Sequence, residues 1–432
     1  MTEPALSSPA FDLVILGAGM TGASLVHLLQ PALDDGLRIA LIDRQQIRWT
    51  ADILERPPSF DGRATALAWG SRQLLERMGC WSAVADRACA IEHIQVSDRG
   101  RFGQTHLHAS EQGTEALGYI VENAVLGRAL LQGLDTCPNV TLLSDTEVTQ
   151  VTMTATGSQL TLADGKTLTT ALLVMADGGR SGLAQQLGIR HQREDYGRMA
   201  LVTQVEMDRE HQHWAYERFS DHGPVALLPL QQRHFAVVWT LPPDDCERIM
   251  ALPDALFAEQ LQQQVGYRSG RILRVGERFS YPLALVRSGE QVRRGLVLLG
   301  NAAHSLHPVA GQGFNLALRD TAALAARVLE SWSMKRPLGD LTVLLEYAQQ
   351  QQQDQANTIL ASDLLPRVFS HPGTLTALGR GAGLLALASL TVPRRLLARH
   401  AMGLGQPAPR FGLPPTPKPD NLSSRSESAD AL

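Results

Sequence analysis

The sequence predicts an α/β chain of mixed α+β character: a β-α-β crossover unit carrying an inserted, mostly antiparallel sheet and ending in helices. Three observations predict it. The apolar run Phe11–Leu16 leads straight into the glycine turn Gly17 to Gly22, alternating apolar runs fill residues 199–286, and beyond Asp320 the period becomes helical.

From Leu13 to Asp43 the order is strand, glycine turn, a helix over residues 23–29 and a second strand, which spells one βαβ unit. After Asn139 come short strand-like runs separated by turn signals such as Asp164-Gly165. Residues 199–286 hold longer alternating runs (ALVTQVEM, HWAYERF, GPVALLPL, HFAVVWTL), interrupted by a helical pattern over Asp254–Val265. Residues 322–332 and 341–365 read as helices, with the glutamine run Gln349 to Gln353 on a solvated face. Strands of one kind lying between pieces of another predict a discontinuous first domain over 10–80, 115–185 and 287–335. The expected second domain covers 81–114 and 186–286, helices cover 336–404, and the Pro- and Ser-rich residues 405–432 form a disordered tail.

A length of 432 residues fits two intimately joined domains, and 44% hydrophobic residues suffice for a sizeable core. The net charge of −4 gives no electrostatic case for nucleic acid. The opening residues lack the basic start and apolar core of a secretory signal, so a cytoplasmic chain is expected. Residues 11–29 include Asp12, three glycines and His27, which suits a strand, turn and helix better than a membrane span. Cys80, Cys89, Cys137 and Cys246 have no metal-ligand spacing and read as structural. His304 and His307 form an H-x-x-H pair without a third ligand, so no metal is expected. His106 with His108, and His211 with His213, alternate as strand residues do and read as exposed.

Gly17, Gly19 and Gly22 follow a buried strand and open a helix, and Asp43 closes the next strand. Each has a task in dinucleotide binding: a tight turn, close approach to a pyrophosphate, close helix packing, and a carboxylate for ribose hydroxyls. Two further features favour FAD over a simple nicotinamide site. Arg63 stands at the start of a helical run, where a guanidinium could meet a diphosphate, and a late strand runs into GNAAHSLHPVAGQGFN at Gly300.

Taken together, GAGMTG, DGRATALAWGS, MADGGRSGLAQQLG and LLGNAAHSLHPVAGQGFNLALRD resemble the flavoprotein aromatic hydroxylases of the p-hydroxybenzoate hydroxylase type, up to about Gly403. Within that family the segments around Phe60 to Ser71, Tyr216 to Leu230 and Ser280 to Leu285, and GNAA in place of the usual GDAA, are most similar to the ubiquinone-biosynthesis hydroxylases, on the branch that acts on 2-polyprenyl-6-methoxyphenols. The resemblance implies a Rossmann-like FAD-binding domain with an inserted substrate domain and C-terminal helices. It also implies an FAD-dependent monooxygenase that uses NAD(P)H and O2 to hydroxylate a small hydrophobic prenylphenol. Hydroxylation at another ring position, or on another phenol, stays open. So does a non-catalytic FAD-holding subunit, a reading to which Asn301 lends weight. A halogenase is disfavoured because Trp239 is followed by TLPP and no W-x-W-x-I-P motif is present.

Carried onto these residues, the resemblance places the ADP half of FAD on Gly17, Ala18, Gly19 and Gly22, with Asp43 and Arg44 at the ribose and Arg63 near the diphosphate. Asn123, Asp177 and Gly178 would contact the flavin chain and Asn301 its polyol. Pro308, Gly311, Gln312, Gly313, Phe314 and Asn315 would line the isoalloxazine. Pro308, Gly313 and His307 stand nearest the chemistry in this reading, and Phe219, Leu228, Pro229, Val238 and Tyr281 are the expected substrate contacts. Residues 378–403 mix a short apolar helix with Arg394, Arg395 and Arg399. They suit either peripheral contact with the inner membrane or other ubiquinone-biosynthesis proteins, or packing on the chain itself.

Overall fold

The structure is a computed structural model, and it describes residues 11–47, 64–100, 103–220, 223–306, 311–370, 385 and 388–404. Arg63, His307, Pro308, the tail over 405–432 and most of the stretch over 371–387 lie outside the described residues.

Five strands form a parallel sheet in the order Leu296–Leu298, Thr167–Met175, Phe11–Leu16, Ile39–Ile42, Val140–Leu143. Their apolar residues run nearly unbroken because both faces are covered. Leu13, Ile15, Leu41 and Val174 pack under the helices, whereas Val14, Leu16, Ile42 and Met175 pack on the opposite side with Val148, Leu160 and Leu183. An antiparallel hairpin, Val148–Thr154 with Gly157–Leu162, extends the sheet along Thr167–Met175. The register aligns the strand ends: Leu16 pairs with Met175 and Ile42, Met175 with Leu298, and Ile42 with Leu143. The residues that follow these strands therefore leave one common edge.

The first helix, Met20–Leu28, and the 22-residue helix Gln312–Ser333 share one face of this sheet. The latter begins ten residues earlier than the period predicts, because its opening QGFN carries no apolar repeat. The long helix Leu341–Ser370 packs against it, and within the glutamine run Gln351 is buried, unlike its neighbours.

A nine-stranded, mostly antiparallel sheet holds His191–Met207 at its centre, with Phe279–Ser288 on one side and His234–Leu241, Val225–Pro229, Trp214–Phe219, His93–Asp98 and Gln104–His108 on the other. One pair in it, Trp214–Phe219 with His93–Asp98, is parallel. Two helices, Pro243–Met250 and Asp254–Val265, cover one face, where Leu201, Val237, Trp239 and Phe257 form the core. The strand Cys89–Ile91, expected with this sheet, instead pairs with Gly118–Glu122, which pairs in turn with Ala64–Ala68. This small third sheet joins the two larger ones: Ile91, Ile120, Ala64 and Ala66 pack against Ala215, Leu228 and Ala236 on the uncovered face.

The C-terminal helix Thr391–Ala401 is docked on the chain. Ala398 and Met402 are buried with Leu107, Ala109 and Leu117, and Arg394 pairs with Glu111 at 3.0 Å. Its other side exposes Val392, Arg395, Leu396 and Arg399.

Candidate cofactor and substrate site

Four of the predicted cofactor segments leave the aligned edge of the parallel sheet, as the general rule for ligand sites on such sheets requires. Gly17 follows Leu16, Asp43 follows Ile42, Asp177 follows the Thr167–Met175 strand by two residues, and Gly300 follows Leu298 by two. Gly17 has φ 105°, and a Cβ there would lie 2.6 Å from the Ala176 carbonyl oxygen. A Cβ on Gly22 would collide with the Gly17 carbonyl. Both glycines are required by packing. Gly19 differs, since a Cβ there would meet nothing within 4 Å. Space is open at this turn, as the approach of a pyrophosphate would need.

The helix Met20–Leu28 begins at Gly19 with no capping side chain, so its first-turn N–H groups keep their capacity for an anion. Asp43 holds the turn in place: its Oδ2 accepts from Ala18 N at 2.8 Å and its Oδ1 from Gln45 N at 2.9 Å. Arg44 beside it is exposed. Asp177 is likewise tied to its own turn, accepting from Gly179 N and Ser181 N, with Gly178 at φ 72°. Gly179 and the Asn301 backbone are neighbours, and Gly300 packs on Thr21, so these turns form one cradle. Asn301 is exposed there and makes no side-chain hydrogen bond among the described residues, leaving its amide free for a polyol.

The second glycine segment repeats the device. Gln312–Ser333 starts from Gly311 in the left-handed region at φ 63°, again without a capping side chain, and a Cβ on Gly313 would meet nothing within 4 Å. Gly311 itself is pressed against Ala66. Gln312 and Phe314 in the first turn are half-buried. Asn315 behaves differently from expectation, because its side chain is wholly consumed by the protein. Its Oδ1 accepts from Ala68 N at 2.8 Å and Ser71 Oγ at 2.7 Å, and its Nδ2 donates to the Ala66 and Gly311 carbonyls. It fixes the glycine turn to the Ala64–Ala68 strand. Asn123 is also committed, accepting from Thr65 Oγ1 at 2.6 Å. Two uncapped helix starts, each with a glycine facing open space, fit the phosphate and ring ends of FAD.

The uncovered face of the antiparallel sheet turns toward this assembly. Register puts Phe219, Leu228, Val238 and Tyr281 on that face: Leu228 pairs with Ala236, Ala226 with Val238, and Tyr281 with Ala200. Pro229 does not belong with them, since it pairs with Phe235 and alternation sends it to the helix-covered side. Leu228 and Val238 are half-buried, while Leu227 and Val237 on the covered side are fully buried, so the uncovered face keeps room. On it stands a carboxylate that the sequence reading passed over, Glu217, two residues from Phe219. Strand alternation puts Glu217 on the same face as Phe219. A separate cleft of 580 Å³, lined by Gln95, Arg218 and Arg268, opens on the other side of the sheet, away from the cofactor edge.

Of the four histidines expected to be exposed, His213 is, His106 and His108 are half-buried, and His211 is buried. His304 Nε2 lies 2.7 Å from Asp320 Oδ2, both side chains deep in the core, and Gln355 donates to the same oxygen. His211 is buried too, its Nε2 donating to Leu230 O and its Nδ1 accepting from His213 N. Cys89, His211 and His213 are close enough to suggest a metal, but those backbone bonds occupy both His211 nitrogens, and burial pushes the Cys89 thiol up to about 11. Burial acts the same way on Cys80, leaving both thiols unreactive.

A two-start dinucleotide cradle with an antiparallel sheet laid over it defines an FAD-dependent monooxygenase. Residues 10–340 match the family described as FAD binding domain, and the chain belongs to that family. Among its relatives it stands with the ubiquinone-biosynthesis hydroxylases. It is 34% identical over 403 residues to the ubiquinone hydroxylase UbiL of Rhodospirillum rubrum, covering 93% of this chain and 92% of that one. It is 28% identical to the 3-demethoxyubiquinol 3-hydroxylase of Escherichia coli, over 91% of this chain and 98% of that one. The fold superposes on Klebsiella pneumoniae HpxO, solved with FAD and uric acid, with a TM-score of 0.70 and 18% identity over 92% and 97% of the two chains.

Proposed function

We propose that this enzyme hydroxylates a prenylated phenol precursor of ubiquinone with NAD(P)H and O2, converting a 2-polyprenyl-6-methoxyphenol to the 1,4-benzoquinol. The observation that carries the reading is the apolar face that holds half-buried Leu228 and Val238 and buried Phe219, which meets Ala64 and Ala66 through Leu228, with Gly311 packed on Ala66. A bound FAD supplies hydride acceptance from NAD(P)H and activation of O2, while the chain binds, orients and shields. Gly17, Gly19, Gly22 and the first turn of Met20–Leu28 would hold the diphosphate, Asp43 the ribose, Asn301 the polyol, and Gly313 with the N–H groups beside it the ring edge that becomes negative on reduction. Pro308 and His307 complete that ring site in this proposal. The apolar face would seat the phenol ring and exclude water, which protects the activated oxygen from wasteful release as peroxide.

The para position follows from the phenol oxygen, whose lone pairs enrich that carbon. The name of the Escherichia coli relative favours a second reading, attack at another ring carbon. Purified holoenzyme incubated with candidate prenylphenols, NADH or NADPH and 18O2 tests both. Labelled 1,4-benzoquinol supports the first, label at another carbon supports the second, and unlabelled phenol throughout removes both.

Delivery of so insoluble a substrate suits contact with a membrane surface. No helix among the described residues is long and apolar enough to cross a membrane. The exposed side of Thr391–Ala401 instead presents Val392 and Leu396 beside Arg395 and Arg399, a composition suited to an anionic lipid interface. L396E/V392E should lower co-sedimentation with anionic vesicles, and unaltered partition would remove this part of the proposal.

A further inference from the structure

We propose that Glu217 is the base that accepts the phenolic proton of the substrate, an inference that rests on the prenylphenol reading above. Glu217 sits at the middle of Trp214–Phe219, opposite Val96 on one neighbouring strand and Ala226 on the other. Alternation places it between Ala215 and Phe219, on the face that packs through Ala215 and Leu228 against Ala64, Ala66 and Ile120. Gly311, which opens the helix proposed to hold the flavin ring, lies against the same Ala66. Glu217 thus stands on the face that meets the small sheet against which Gly311 packs.

No hydrogen bond or ion pair reaches Glu217 among the described residues. An unpaired carboxylate in such surroundings is costly, and packing alone would be better served by an apolar residue. Arg218, the adjacent cation, alternates to the opposite face and donates to Val265 O. Other titratable groups on Glu217's own face are farther along the sheet, among them Glu206, which lies opposite His234 and pairs with Arg233. Asp98 stands opposite Phe219 at the end of the next strand, buried and with interactions of its own. His234 lies at the far end of its strand, and Arg198 and Tyr281 lie on the strands beyond. Among the described residues the facing small sheet contributes the apolar side chains of Ala64, Ala66, Ile91 and Ile120. Burial alone pushes the Glu217 carboxyl up to about 7.

That environment matches the task. A carboxylate whose proton affinity lies near neutral pH can take the proton of a phenol and release it to solvent after turnover. The phenol O–H bond breaks, the proton passes to a Glu217 oxygen, and the electron pair stays on the phenolate, enriching the para carbon. After oxygen transfer the para carbon loses its hydrogen as a proton, the phenol oxygen is reprotonated, and Glu217 releases its own proton to solvent.

The experiment compares wild type, E217Q and E217D as FAD holoenzymes, reading the rate of product formation against pH, with the natural phenol and with a ring-fluorinated phenol that ionises at lower pH. Wild-type product formation should fall as pH drops through about 7. E217Q should keep its FAD, lose that limb, make product about 100-fold more slowly, and recover with the fluorinated phenol; E217D should keep the limb at a reduced rate. An unchanged rate and pH limb in E217Q would overturn the inference while leaving the hydroxylase reading intact. Loss of product without recovery on the fluorinated phenol would also overturn it, marking a structural role. A wild type inert toward every prenylphenol would take down the parent reading and this inference together.

Discussion

The edge of the parallel sheet and the uncovered face of the antiparallel sheet build two halves of one site by opposite means. The edge is made of backbone: glycines, turn N–H groups and helix starts, with side chains such as Asp177 and Asn315 spent on holding the turns. The face is made of side chains standing on a regular ladder, where the backbone is fully used in pairing and chemistry comes only from what alternation presents. The first half tolerates almost no change of shape. The second tolerates much change of shape but little change of polarity.

The largest expected effect lies at the edge. Gly22→Val must push a side chain into the Gly17 carbonyl, so it should cost at least about 3 kcal/mol and yield protein without the flavin absorbance band. Gly313→Ala has open space around the new methyl and should leave the Tm unchanged while weakening FAD binding about tenfold, near 1.4 kcal/mol. Titrating both apoproteins with FAD checks the contrast. Equal behaviour of the two variants would break the distinction between glycines needed for packing and glycines needed for the ligand.

Next comes Asn315→Leu, which leaves the Ala68 N–H and the Ser71 hydroxyl without their acceptor in a buried setting. A loss of about 3 kcal/mol in denaturant unfolding is expected, with FAD affinity falling alongside because the Gly311 turn is no longer pinned to Ala66. A variant as stable as wild type would show that the staple is redundant.

How much of this was legible in the sequence follows the same division. Glycine spacing after a buried strand is a backbone requirement written one residue at a time, so Gly17, Gly19, Gly22 and Asp43 could be read directly and fall on the aligned edge. The face could be read only in parity. The resemblance named Phe219, Leu228, Pro229, Val238 and Tyr281 together, and the register puts four of them on one face and Pro229 on the other, because a neighbour in sequence is an opposite in a strand. Which side is covered by helices depends on tertiary packing, and so did the burial of Glu217, His211 and His304. Asn315 sits in a cofactor-like motif, and its use as a staple depends on Ala68 and Ser71, more than 240 residues away.

Glu217 carries the comparison into stability. Its folded carboxyl stands at about 7 against an ordinary value of 4.5, so the folded state holds the proton more tightly than the unfolded chain does. The penalty is absent below the unfolded value, grows as pH rises, and is complete above the folded one. E217Q should therefore be about 1–3 kcal/mol more stable than wild type near pH 8, the lower part of the range reflecting the residual exposure of the side chain. Near pH 4 the two should unfold alike. Equal stability at both pH values would mean that the carboxylate finds a partner and that the face is not as apolar as its register implies.

The smallest effect tests the two sides of the antiparallel sheet against each other. Val237 and Val238 are neighbours in sequence, but Val237 is fully buried in the core under the covering helices and Val238 is half-buried on the open face. Val237→Ala leaves a cavity and should cost about 1–3 kcal/mol with KM for the phenol unchanged. Val238→Ala should cost well under that and raise KM a few-fold, since a methyl pair in an apolar pocket is worth only about 1 kcal/mol of binding. If the stability loss fell on Val238 and the KM change on Val237, the sheet would have to present its other face to the cofactor, and Phe219, Leu228 and Glu217 would all leave the site with it.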